Sequence, residues 1–265
     1  MASELIFAGL GLSGADGMSV KALNALKECD LIYAEFYTSH LIGTGIEEVE
    51  KAIGKKITVL HRMQVEEGTD IIENAKTQRV GFVTAGDTMS ATTHVDLMIQ
   101  AKEEGIPVRL FNGVSIFSAC PTALGLQPYK FGGAVTLPFI ENGYQPQSPY
   151  DKILENYERG LHTMVLLDIH ADELRYMTGK EAIEWLLLAE EKWGKGLIRD
   201  DTLICVASRI GSEEQKLTAG YPKQLLEMDL GEPLFTLVIP GKLHYMEAYA
   251  LVYFAGAPES IIEDE

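Results

Sequence analysis

The residues best placed to do chemistry lie in one short stretch, Val80-Gly-Phe-Val-Thr-Ala-Gly-Asp-Thr-Met-Ser-Ala-Thr-Thr-His94. Val80 to Thr84 read as a buried strand that runs into a tight turn, Ala85-Gly86-Asp87. A helix should open beyond it, with Ser90, Thr92 or Thr93 as its N-cap. In open α/β sheets, ligands bind at the carboxyl ends of the strands. Gly86 would let the backbone come close to a ligand, and Asp87 offers a carboxylate at the rim. An ordinary βα turn favours Gly and Asp as well, so this segment alone leaves both readings open.

A second candidate follows the first strand. Gly9-Leu-Gly11-Leu-Ser-Gly14 matches GxGxxG, and Glu35 ends the second strand at about the distance a dinucleotide fold requires. An NAD-dependent oxidoreductase must therefore be weighed. The third glycine of that motif belongs in the first turn of the helix. Here Ala15-Asp16-Gly17-Met18 intervenes, and the helix begins only after Ser19, a plausible N-cap. His94 could act as a base near Asp87, or simply sit at a helix start as a surface or capping residue. His162, between a helix stop and a strand start, reads as structural. Tyr33-Ala-Glu-Phe-Tyr-Thr-Ser39 gives the second strand a hydroxyl-rich tail. There is no GxSxG and no Walker loop. The histidines show no HxxxH or HxH pairing and there is no CxxC, so no metal site is expected. Cys29, Cys120 and Cys205 are odd in number, far apart and in apolar surroundings, which points to buried free thiols and a cytoplasmic setting.

These residues need elements to hold them. Apolar runs at Leu5–Ala8, Leu31–Ala34, Ile57–Leu60, Val80–Val83 and Val108–Phe111 read as strands. Helices are expected between them at 19–28, 45–53, 69–76 and 91–104. Such alternation implies a parallel sheet with crossover helices. Ser115 to Leu124 reads as one more helix. The second half differs, with strands expected at 134–137, 163–169, 202–207, 215–218 and 235–239 and helices at 149–158, 178–193, 221–227 and 243–255. A hairpin among βα units suggests a mixed sheet. Phe139 to Pro149 reads as a long loop. The domains are set at 1–120 and 121–265, the boundary falling within 112–128. With 22 Lys+Arg against 39 Asp+Glu, the net charge of −17 argues against nucleic acid or an anionic membrane as partner. The N-terminus shows no signal peptide pattern, and no apolar run approaches the ~20 residues of a membrane helix.

Several segments form a set more specific than any single motif. They are Phe7-Ala-Gly-Leu-Gly11, Ala34-Glu-Phe-Tyr-Thr-Ser39, and Gly86-Asp87 with Ala91-Thr-Thr-His94. Pro121-Thr to Tyr129-Lys-Phe-Gly132, Glu158-Arg-Gly-Leu-His-Thr163 and Leu167-Asp-Ile169 follow. Ala219-Gly-Tyr221, Pro240-Gly-Lys-Leu-His244 and Ala255-Gly-Ala-Pro258 complete it. On these, the chain resembles the diphthine synthase family, in the tetrapyrrole-methylase-like class of S-adenosylmethionine methyltransferases. The resemblance spans nearly the whole length. It implies two α/β domains in a homodimer, with S-adenosylmethionine in the cleft between the domains. It also implies an acceptor: the 3-amino-3-carboxypropyl-histidine of translation elongation factor 2, trimethylated to diphthine. The family favours Pro after Gly-Asp, where this chain has Thr88, and an apolar residue where it has Ser90. Carried over by position, the cofactor contacts are Leu10, Asp87, Ser90, Ser115, Ile116, Leu167, Ile210 and Phe235. The acceptor is expected near Tyr37, Thr38, Ser39 and Thr92. No catalytic base is assigned. A sister precorrin-type methylase acting on a tetrapyrrole is the nearest alternative reading, and a non-catalytic binding protein of the translation machinery is a third.

Overall fold

Leu5, Ile6, Phe7 and Ala8 are all fully buried, and they form the heart of β1 (Glu4–Gly9). The computed structural model describes residues 3–37, 39–43, 45–170 and 173–263. The chain divides into two compact units; the long run of the first ends at Ile116 and the second takes up at Phe117.

In the first unit β1 is followed by α1 (Val20–Lys27), β2 (Leu31–Glu35), α2 (Ile46–Ile53) and β3 (Thr58–Val59). Then come α3 (Arg62–Glu67), α4 (Thr69–Ala75), β4 (Arg79–Thr84), α5 (Val95–Glu103) and β5 (Val108–Phe111). The strands pair in the order β3-β2-β4-β1-β5, and every pairing is parallel. Alternate residues of β1 face opposite sides, as the pleat requires. Ile6 and Ala8 pack with Ala22 and Leu26 of α1 and Val49 of α2. Leu5 and Phe7 pack with Ile71 of α4 and Leu97 of α5. A sheet covered on both faces explains why its strands read as unbroken apolar runs.

In the second unit α6 (Ile116–Leu124) leads to β6 (Val135–Leu137), α7 (Ser148–Glu158) and β7 (Thr163–Leu167). Next are β8 (Ile169–His170), β9 (Arg175–Tyr176), α8 (Gly179–Trp193), β10 (Ile204–Ser208) and β11 (Lys216–Gly220). α9 (Pro222–Glu227), β12 (Phe235–Ile239), α10 (Tyr245–Ala255) and α11 (Ser260–Glu263) close the chain. The order β11-β10-β12-β7-β6 contains one parallel pairing, β6 with β7, and three antiparallel ones. This is the mixed sheet expected from the hairpin. Its core is built on Trp185, Tyr150, Leu137, Ile153 and Leu186.

Three features depart from the sequence reading. α5 starts at Val95, and none of Ser90, Thr92 or Thr93 caps it; His94 holds the N-cap position. The reason is local: the Thr92 hydroxyl donates to the Thr88 carbonyl at 2.7 Å, and Ala91 sits in the left-handed region at φ 59°. α3 was not anticipated, and neither was the hairpin of β8 and β9, whose strands have two residues each.

Candidate functional site

The site of the first unit begins as a problem of backbone crowding. In the order β3-β2-β4-β1-β5 the chain leaves β1 towards one edge of the sheet and leaves β4 towards the other. The crevice at the carboxyl ends of those two strands is where an open sheet takes a ligand. Gly9 ends β1, Gly86 follows β4 and Gly113 follows β5, and the three meet backbone to backbone. A Cβ on Gly113 would lie 2.1 Å from the Gly86 carbonyl oxygen, and one on Gly9 only 2.4 Å from it. The loops are also tied directly. Gly11 N–H donates to Gly86 O at 3.1 Å, and Gly86 N–H donates to Gly11 O at 2.6 Å. Gly86 has φ 72°, a conformation open to glycine at little cost.

Asp87 clamps this crossing. It is 8% exposed. Oδ1 accepts from Met89 N–H at 3.0 Å and from the Ser90 hydroxyl at 3.3 Å. Oδ2 accepts from Asn112 Nδ2 and from Gly113 N–H, each at 3.0 Å. One carboxylate thus shapes its own turn and fixes the exit of β5, just ahead of Ser115 and Ile116. Leu10 is buried, and its N–H donates to Thr84 O at 2.9 Å. Leu10, Asp87, Ser90 and Ser115 lie on the loops that leave the carboxyl ends of these strands, and Ile116 opens α6. Ser90, Ser115 and Ile116 are half-buried.

A second buried pair was not read from the sequence as a pair. Glu35 ends β2 and is 1% exposed; His94 is 2% exposed. His94 Nε2 lies 3.4 Å from Glu35 Oε1, and Nδ1 lies 2.9 Å from the Thr88 carbonyl. A carbonyl can only accept, so Nδ1 carries a proton. The ring also stands edge-on to Phe82. Both nitrogens face fixed partners, so His94 is neither a surface residue nor a base aimed at Asp87. Glu35 Oε2 accepts from Tyr37 N–H at 3.0 Å. The pair therefore joins the exit of β2 to the exit of β4. Its partners stand far apart in the chain, and only the sheet order brings them together.

Of the residues expected at the acceptor, Tyr37 is half-buried, with the Arg62 guanidinium 5.1 Å from its ring centre. Burial, then the Glu35 carboxylate, push its hydroxyl up to about 12, so it stays protonated and able to donate. Ser39 follows it, half-buried. Thr92 spends its hydroxyl proton on Thr88 O. Thr38 lies outside the described residues.

In the second unit Leu167, Ile210 and Phe235 are buried and share one sheet edge. Antiparallel register puts Ser208, the last residue of β10, opposite Phe235, the first of β12, while Thr236 pairs with Leu166 of β7. Ile210 sits in the turn between Arg209, at φ 51°, and Gly211, at φ 88°. Asp168, next to Leu167, accepts from Phe139 N–H and Ile169 N–H at 3.0 Å each. Phe235 also lines a cavity of about 550 Å³ within this unit, together with Thr178, Lys180, Met228 and Leu230.

The remaining shared motifs of the second half build a structural knot. Lys130 Nζ meets Glu247 Oε2 and also donates to Lys242 O at 2.7 Å. His162 Nε2 lies 3.2 Å from Glu247 Oε1, and its Nδ1 accepts from Gly241 N–H at 3.0 Å. Burial would raise the Glu247 carboxyl, but Lys130 and the Gln127 and His244 N–H groups hold it down at about 2. Burial keeps His162 below its ordinary value despite the nearby carboxylate. This is the structural role expected of His162.

The three cysteines are free and buried, with burial pushing the thiols of Cys29 and Cys120 up to about 11 and 12. Among the described residues no three His, Cys, Asp or Glu side chains are grouped to hold a metal ion. The GxGxxG stretch does not serve a pyrophosphate. Gly11 N–H is spent on Gly86 O, a short 3-10 turn fills Ala15–Gly17, and α1 starts only at Val20, capped by Ser19.

The parallel sheet with this glycine crossing is followed along the chain by the mixed sheet of the second unit. The sequence profile described as Tetrapyrrole (Corrin/Porphyrin) Methylases matches residues 4–225, and the chain belongs to that family. The chain is a methyltransferase. Within the family it is similar to diphthine synthases. It is 50% identical over 252 residues to the diphthine synthase of Methanocaldococcus jannaschii, covering 94% of this chain and 98% of that protein. The diphthine synthase of Methanothermobacter thermautotrophicus is 44% identical over 259 residues, with 98% of each chain covered. A crystal structure of diphthine synthase superposes with a TM-score of 0.89 at 34% identity, covering 98% of this chain and 99% of that one.

Proposed function

We propose that this chain uses S-adenosylmethionine to trimethylate the amino group of the 3-amino-3-carboxypropyl-histidine of translation elongation factor 2. The product is diphthine, and the enzyme works as a cytoplasmic homodimer of two-domain chains, divided at about residue 120. The observation that carries the reading is the Gly9, Gly86 and Gly113 crossing clamped by Asp87, in a chain so similar to diphthine synthases. Among the described residues no helix is long and apolar enough to cross a membrane, which is compatible with this setting.

The residues present suit such a cofactor. Glycines let the exits of β1, β4 and β5 cross in direct contact where a Cβ would collide with backbone, and so fix the loops that carry Leu10, Asp87, Ser90 and Ser115. Leu10, Ile116, Leu167, Ile210 and Phe235 would give apolar side chains and backbone groups for adenine and ribose. Ser90 and Ser115 would add hydroxyls. When bound, the sulfonium supplies an already activated methyl group. What remains for the protein is to orient a neutral amine and exclude water. Tyr37, Thr38, Ser39 and Thr92 would orient the acceptor's carboxylate and amine, Tyr37 as a donor. Asp87, spent on loop geometry, acts by positioning. No residue needs to be a strong base, because the amine can lose its proton to water.

Calorimetric titration tests the cofactor. S-adenosylhomocysteine should bind and NAD should not. Binding of NAD alone would restore the oxidoreductase reading.

A further inference from the structure

α10 reads Tyr-Met-Glu-Ala-Tyr-Ala-Leu-Val-Tyr-Phe-Ala. A helix that is apolar all round belongs inside a protein. One side of this helix is inside: Glu247, Ala248, Leu251 and Ala255 are buried. The other side is bare. Tyr245, Met246, Tyr249, Tyr253 and Phe254 are 42–77% exposed. The helix carries a single charged residue, Glu247, and that side chain is turned inward against Lys130 and His162.

The exposed residues form two neighbouring i, i+4 ridges. Tyr245, Tyr249 and Tyr253 make one, with the rings of Tyr249 and Tyr253 stacked at 6.4 Å. Met246 and Phe254 stand on the other, whose middle residue, Ala250, is half-buried beside Gly125. Two copies of such a surface can interdigitate ridge into groove. At roughly 200 Å² for a large side chain, the five leave on the order of 600 Å² bare on each chain. Two copies would bury about 1,200 Å², above the ~1,000 Å² that a specific interface requires.

Charge selects the occupant. The chain carries a net charge of −17, so two copies repel across most faces. They can meet without desolvating like charges where no charge stands. The same strip offers nothing to select a basic partner, and a protein substrate that must leave after reaction gains little from a large apolar contact. We propose that the exposed face of α10 is where a second copy of this chain docks, in an isologous two-fold contact. The inference rests on the homodimer put forward above and adds the face that makes it.

Light scattering at micromolar concentration on the full chain tests it. Wild type, and the variant Leu188→Glu at an exposed position of α8, should each give about twice 29.2 kDa. Tyr249→Glu should give the monomer mass. A monomeric wild type would overturn the homodimer, and this face with it. A dimeric Tyr249→Glu beside a dimeric wild type would overturn the face alone. Tyr249→Cys guards against a variant that fails to fold. The native thiols are buried, so a bismaleimide should join this variant into a covalent dimer through the new thiol. No cross-link in a dimeric Tyr249→Cys protein would also overturn the face.

Discussion

Asp87 is legible in the sequence as a carboxylate at a strand end, but not as what it does. Two of its four donors, Asn112 and Gly113, stand 25 and 26 residues further along, and only the β4-β1-β5 order brings them back. The Glu35 and His94 pair was hidden for the same reason. Burial and partner identity depend on strand order, which local spacing does not encode. Asp87→Ala would leave buried N–H groups without an acceptor. It should cost about 3 kcal/mol of stability in urea unfolding and weaken S-adenosylhomocysteine binding by about 1–3 kcal/mol. Asp87→Asn, which keeps one acceptor oxygen, should lose less. Unchanged stability and affinity in Asp87→Ala would refute the clamp.

At the scale of elements, the strongly apolar strands of both sheets were readable because burial on both faces leaves runs with few polar breaks. Short elements were not. α3 contributes one buried residue, Val65, and β8 and β9 have two residues each, too few to show a period. The start of α5 was misread because Thr92 bonds its hydroxyl backwards, to Thr88, instead of forward into the helix. The glycine crossing gives an element-level test. Gly113→Ala puts a methyl group against the backbone of Gly86 and Gly9, which cannot rotate away. It should cost ~1–3 kcal/mol of stability and displace the exit of β5. Full stability with unchanged S-adenosylhomocysteine affinity would contradict the packing described.

α10 sets a pH dependence. The folded-state pKa of Glu247 is depressed from the ordinary 4.5 to about 2, so its contribution is present above 4.5 and is lost as pH falls towards 2. His162 is also lowered: it stays neutral in the fold, while the unfolded chain takes up a proton below about 6.5. Both make stability fall with acid. Urea midpoints should drop steadily below pH 6.5, and Glu247→Gln, though less stable at pH 7, should lose the steepness below 4.5. A wild-type profile flat down to pH 3 would contradict this.

For the whole molecule, charge and sheet class narrowed the possibilities, and the family likeness supplied the acceptor, which no residue pattern could name. A methylase of this size that acts on a protein must admit a side chain from a large partner. The acidic surface would draw a basic docking face, with a rate that falls as salt rises. The most direct test supplies S-adenosylmethionine with a labelled methyl group, and elongation factor 2 from a strain arrested after the aminocarboxypropyl group is added. The account predicts label on that single modified histidine, ending in the trimethylammonium product. No label on the factor, beside clear methylation of a tetrapyrrole by the same preparation, would contradict it.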